Sequence, residues 1–195
     1  MDAEPSRLTP AGDTAEPLAR LERWHAALTR LVGPNGRPVR KMLLLAPALI
    51  LLVDVPLALL SAALSLPSSR EAPPVTGHVV ALLVVVAPVL ETWLVIGLHC
   101  GAAALARAAL RGSRHGGAAG LVGALAAGAV MAALHMPYSL HRVVSAGVFF
   151  AAQGLQYEAW RREYHFVLAY LALAGTHCVN NSIAAGLLLL VQILD

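Results

Sequence analysis

The apolar residues of this chain fall in long runs separated by sparse basic residues. The gaps run from Lys41 to Arg70, Arg70 to Arg107, Arg114 to Arg142, Arg142 to Arg161, and Arg162 to the end. Each holds enough apolar residues for a membrane-spanning helix of roughly 20 residues. The pattern predicts helices near 42–66, 77–106, 117–138, 142–160 and 165–193. A break in the last near Asn180-Asn181-Ser182 would add a sixth, short segment. Ahead of these, Leu18, Leu21, Trp24, Leu28 and Leu31 recur at helical spacing, with Arg20, Arg23 and Arg30 between them. That pattern predicts an amphipathic helix over 17–32, lying on a membrane surface or packing an ordinary apolar face. Gly33-Pro34-Asn35-Gly36 ends it. The expected fold is all-α: a polytopic transmembrane helical bundle of five to six spans (residues 41–195), preceded by a cytoplasmic N-terminal segment (1–40) with an interfacial amphipathic helix.

Composition supports lipid as the solvent. Hydrophobic residues make up 58% of the chain and charged residues 13%, more apolar surface than a soluble domain of this size can bury. Seven of the fourteen Lys and Arg precede residue 42, and the net charge is +3. So few charges beside lipid-like segments argue against nucleic acid and suit an anionic cytoplasmic leaflet. Clusters at Arg37–Lys41, Arg107–Arg114 and Arg161–Arg162 fall on alternate connections, which predicts a cytoplasmic N-terminus. Cys100 and Cys178 lie in apolar helical stretches and form no disulfide framework. No cleavable signal peptide is visible. The Gly- and Ala-rich run Gly117–Ala133 suits close helix packing.

Against this background, polar groups inside the spans draw attention, because each costs a few kcal/mol on insertion scales. Glu91 follows Ala87-Pro88-Val89-Leu90, and His135 ends Met131-Ala132-Ala133-Leu134. His177 and Asn181 are four residues apart and share one helix face. A carboxylate and two imidazoles from three helices can activate water, with Glu91 as general base and His177 and Asn181 binding an oxyanion. Glu91, His135 and His177 can equally ligate a divalent metal such as zinc. The bland alternative is interhelical hydrogen bonding, above all for His135 and for Asn180, Asn181 and Ser182. Paired intramembrane histidines also suit haem. Asp54, with Pro56, marks a kink or a partner for another helix. His99 lies two turns past Glu91. Tyr157, Glu158, Arg161 and Arg162 suit an interfacial anchor or a site for a substrate's terminal carboxylate.

The order of a Glu, a short apolar run ending in His, and H-x-x-x-N in a late helix resembles the CAAX protease and bacteriocin-processing (CPBP) family of intramembrane proteases. The flanks Ala87–Thr92 and Gly147–Phe150 through Tyr157–Arg161 resemble it too, so that the likeness covers about residues 80–190. It implies a multi-pass protein of the cell membrane, with an endopeptidase site that acts on a membrane-associated peptide or protein. In that reading Glu91 activates water, His135 assists or binds metal, and His177 and Asn181 stabilise the oxyanion. The chain departs from the fullest motif at three places: Thr92 stands for a second Glu, Ile96 for an Arg, and Met131 for a Phe. The supporting ion pair is therefore missing. A non-catalytic scaffold or self-immunity protein on the same fold is the alternative.

Overall fold

The computed structural model describes residues 15–35, 38–64, 76–110, 116–137 and 139–194. The first fourteen residues, and Arg37, Arg70, Arg111 and Arg114 of the basic clusters, lie outside the described residues. Every described element is a helix. Helix α1 (Ala15–Val32) covers the expected amphipathic segment. Helices α2 (Pro38–Leu49) and α3 (Val55–Ala63) join through a π-helical stretch, Ile50–Asp54. A second such stretch, Leu82–Val86, joins α4 (Gly77–Ala81) to α5 (Ala87–Ala109). Then follow α6 (Gly116–Leu134), α7 (Leu140–Glu163) and α8 (Phe166–Leu194). Four stretches are long and apolar enough to cross a membrane: Leu43–Leu60, Gly77–Ala109, Gly117–Leu134 and Phe166–Leu187. Large apolar side chains on them point outward, Leu52 at 77% exposure and Leu105 at 75%. Such a surface requires lipid, and the chain is an integral membrane protein.

Two expected boundaries change. Helix α8 runs unbroken through Asn180-Asn181-Ser182, and Ser182 Oγ donates back to Cys178 O within the same helix (2.7 Å). Helix α6 stops at Leu134, short of the expected 138, and His135 to Pro137 form a turn.

Both π-helical stretches have the same cause. Each ends two residues before a proline, Pro56 or Pro88. A proline ring collides with the carbonyl four residues earlier and offers no N–H. The backbone widens instead, so that Val55 N–H reaches Ile50 O and Ala87 N–H reaches Leu82 O, five residues back. In this register the next donor to Leu83 O would be Pro88, which has none. Asn181 Nδ2 of α8 donates to Leu83 O instead, at 2.7 Å.

Helix α6 is the hub of the bundle and packs chiefly on α5 and α7. Its small residues let backbones approach closely. A Cβ on Gly123 would lie 2.6 Å from His99 O of α5, and one on Gly128 would lie 2.5 Å from Gly147 O of α7. Ala124 and Ala127 are wholly buried in the same face. Helix α7 is less apolar than its neighbours because it carries Gln153, Gln156 and Glu158, but both glutamines are buried inside protein rather than facing lipid.

Helix α1 is fixed to one end of the bundle. Asn35 Nδ2 and Lys41 Nζ cap its last carbonyls, Arg30 O and Leu31 O, each at 2.8 Å. Trp160 Nε1 of α7 donates to Val32 O at 3.4 Å. Its buried face carries His25 and Thr29, and Trp24 and Leu31 face outward.

Gly128→Ala must force α6 and α7 apart, at a cost of about 1–3 kcal/mol. Gly97→Ala meets nothing within 4 Å and removes a flexible residue from a helix. We therefore expect the melting temperature of the purified protein to fall for Gly128→Ala and to hold or rise for Gly97→Ala. Equal melting temperatures would contradict this account of the packing.

Candidate functional site

Glu91 lies one turn into α5, just after Pro88, and His177 lies in the middle of α8. The structure brings them together, with His177 Nε2 3.3 Å from Glu91 Oε2. The imidazole is buried and the carboxylate is half-buried, its side chain 30% exposed. An Nε2–H that donates to the carboxylate leaves Nδ1 as the lone-pair nitrogen, and Nδ1 is buried without a hydrogen-bond partner. The ring orientation is set by packing. Phe149 and Phe150 of α7 contact the imidazole edge-on, with centroids 5.1 and 5.2 Å away.

His135 also packs on Phe150, with ring centroids 5.8 Å apart. It follows the last turn of α6, and its Nδ1 lies 2.7 Å from Met131 O. Only a protonated Nδ1 can donate to that carbonyl, so Nε2 carries the lone pair. Asn181 shares the α8 face of His177, but one of its N–H groups serves Leu83 O. Its Oδ1 accepts weakly from Asn180 Nδ2, at 3.4 Å. One N–H remains for another acceptor.

Among the described residues, no three His, Cys, Asp or Glu side chains are grouped so as to hold a metal ion. Glu91 and His177 supply two donors in contact, and His135 packs on Phe150. The donor set does not close into a three-ligand site.

The other sequence candidates lie elsewhere. His99 lies two turns beyond Glu91 on α5, edge-on to Tyr157 at 6.1 Å. Asp54 ends the first π-helical stretch, as a kink would have it, and lines a small cleft with Ser145, Val148 and Phe149. Glu158 is engaged within the protein, by His25 of α1 (2.9 Å) and Arg162 (2.6 Å), and Arg161 caps Tyr164 O at 2.9 Å. Thr92 and Ile96, which stand where the family motif has Glu and Arg, are both buried. Sequence reasoning missed the aromatic wall of Phe149 and Phe150 as part of the site. It also missed Gln153, Gln156 and Thr176 beside it. Two glutamines at i, i+3 in an otherwise apolar helix were the available signal.

Comparisons with family profiles, with curated proteins and with solved structures each return no match.

The proline origin of the Asn181 bond can be tested with a double-mutant cycle. Asn181→Ala leaves the Leu83 carbonyl without a donor on an apolar, lipid-facing surface and should cost about 1–3 kcal/mol of stability. In a Pro88→Ala background the backbone regains a donor for Leu83 O, and the same substitution should cost clearly less. Equal losses in both backgrounds, measured by thermal unfolding, would show that the amide does not serve the proline defect.

Proposed function

We propose that this chain is an intramembrane endopeptidase of the CAAX protease and bacteriocin-processing type, which hydrolyses a peptide bond of a membrane-associated substrate. The observation that carries the reading is the 3.3 Å contact of Glu91 with His177, made between two different helices inside the bundle. A carboxylate held there by an imidazole, away from bulk water, is a suitable general base. Glu91 accepts a proton from a water, the resulting hydroxide attacks the substrate carbonyl, and the proton passes to the leaving amine. His177 orients the carboxylate. The remaining Asn181 N–H is the donor available to the developing oxyanion. His135, with its lone pair on Nε2, assists proton transfer. Glu91 is flanked by Leu90 and Trp93, which are both exposed on the lipid-facing side. Access from the side, out of the bilayer, fits a lipid-anchored or membrane-resident peptide.

The finer topology belongs to the same proposal. Five crossings place the starts of α2, α6 and α8 and the ends of α5 and α7 on one side. That side carries Arg40, Lys41, Arg107, Arg161 and Arg162 and takes the cytoplasm. The bonds from Lys41 and Trp160 to the end of α1 gather part of this basic set.

One observation favours a second reading, a non-catalytic scaffold or immunity protein. Asn181 is committed to a structural bond, and the supporting Glu and Arg of the motif are replaced by Thr92 and Ile96. The two readings separate in one experiment. Purified protein in vesicles is given membrane-anchored peptides, with and without a prenyl group, and products are identified by mass. Glu91→Gln and His177→Ala should each lower cleavage by about 10²–10⁴-fold, while Gly97→Ala cleaves as the parent does. If the parent cleaves nothing, and Glu91→Gln retains the parent's cellular phenotype, the scaffold reading replaces the enzyme.

A further inference from the structure

The chain contains a second carboxylate–imidazole pair, at the end of the bundle that α1 covers. His25 Nε2 lies 2.9 Å from Glu158 Oε2, and Arg162 holds the other carboxylate oxygen. His25 is buried. Helix α6 makes room for the pair by having no side chain at Gly120, where a Cβ would overlap both Glu158 Oε2 and His25 Nε2.

Between this pair and Glu91–His177 lies a file of buried polar groups on three helices. On α5, Thr92 adjoins Glu91, and His99 follows seven residues later on the same face, about two turns on. On α7, Gln153 Nε2 donates to Leu173 O (3.2 Å), and Gln156 Nε2 donates to Thr176 Oγ1 (3.0 Å), next to His177. His99 is also in close contact with α7, since a Cβ on Gly154 would lie 3.1 Å from its Nδ1. Thr92, His99, Gln153, Gln156, Thr176 and His177 are all less than 5% exposed.

These groups are not satisfied by one another. Among the described residues, buried side-chain atoms without a hydrogen-bond partner are Thr92 Oγ1, His99 Nδ1, Gln153 Oε1, Gln156 Oε1, His177 Nδ1 and Asn180 Oδ1. All lie on α5, α7 and α8, and the first five belong to this file. Isolated atoms of this kind are costly, and a run of them inside a membrane bundle marks a path for protons or polar solutes.

We infer that α5, α7 and α8 enclose a proton relay that runs from the His25–Glu158 pair through His99 to the Glu91–His177 pair. Waters admitted between the three helices bridge the unpartnered atoms. Each hop moves one proton from an N–H or O–H to the neighbouring lone pair and changes no other bond. His99 is the carrier in the middle: one ring nitrogen accepts as the other releases. The groups that face it are Tyr157 and Glu158 from α7, His25 from α1 and Arg107 from its own helix, while α6 presents only Gly123 and its small neighbours. Delivery of protons to a working base rests on the enzyme reading of Glu91; the relay itself does not.

The test follows the protonation of Glu91 rather than cleavage. The full chain is reconstituted in phosphatidylcholine–phosphatidylglycerol vesicles, and the Glu91 carboxyl band, identified by its loss in Glu91→Gln, is followed by infrared spectroscopy after a pH jump. His99→Ala should slow equilibration about tenfold or more, and added imidazole should restore it. Gln156→Leu should slow it severalfold without imidazole rescue. Equilibration of His99→Ala at the parent rate would overturn the relay, because protons would then reach Glu91 through its own half-exposed side. If His99→Ala does not fold, Gln156→Leu decides the matter on the same two outcomes. A chain that cleaves no peptide but shows slowed exchange in these variants keeps the relay and loses the enzyme. One that cleaves with unchanged exchange does the reverse.

Discussion

A missing N–H sets the register of this structure. Pro88 cannot donate, and α5 cannot begin as a regular continuation of α4. The backbone widens into a π-helical turn, and Leu83 O is left without a backbone donor. Inside a membrane a bare carbonyl costs too much to leave unmet. Asn181 meets it from α8, at 2.7 Å. That bond fixes how far α8 slides along α5. His177 stands one turn from Asn181, and Glu91 stands one turn from Pro88. Once the proline defect is satisfied, the imidazole and the carboxylate face each other. The contact at the candidate site is in this sense a consequence of a backbone repair, and the two halves of H-x-x-x-N divide the work: the Asn positions, the His pairs.

The rest of the bundle follows a different rule, since lipid gives little reason for apolar faces to associate. Helices α5, α6 and α7 are held by close approach at Gly123 and Gly128 and by buried polar bonds. The large apolar residues face outward instead. This inversion explains why α7, the least apolar of the long helices, sits among protein neighbours. Its glutamines bond α8 at Leu173 O and Thr176 Oγ1, and its Glu158 bonds α1. A helix with that content could not face lipid on all sides, and it ties α8 and α1 to the bundle.

Much of this was legible in the chain. Runs of apolar residues between single arginines located the helices within a few residues, because the spacing of charge is dictated by bilayer thickness. The i, i+4 relation of His177 and Asn181 gave their shared face. Glu91 and His177 could be singled out because ionisable groups are rare in such runs. What the pattern did not carry was anything set by tertiary contact. Helix α8 continues through Asn180-Asn181-Ser182 with these side chains bonded inside the protein, Ser182 to its own helix and Asn181 to a carbonyl 98 residues away. Reading that triplet as a break took polar residues for exposed backbone. The wall of Phe149 and Phe150 was invisible for the opposite reason: aromatics in an apolar helix look like any other lipid-facing surface until their neighbours are known.

In the motif that this chain resembles, a Glu and an Arg stand at the positions held here by Thr92 and Ile96. An ion pair at those positions would place two more charges beside Glu91, in a part of α5 that packs against protein. Here both positions are buried and uncharged, and Val95 between them is wholly buried too. The desolvation that an ion pair would suffer is avoided, and so is its field. Glu91 then has one ionisable neighbour in direct contact, His177. Burial and a neighbouring imidazole, rather than a fixed guanidinium, make up the surroundings of the carboxylate. A carboxylate beside a titratable imidazole responds to the protonation of that imidazole. The buried file of polar groups on α5, α7 and α8 ends on the same imidazole.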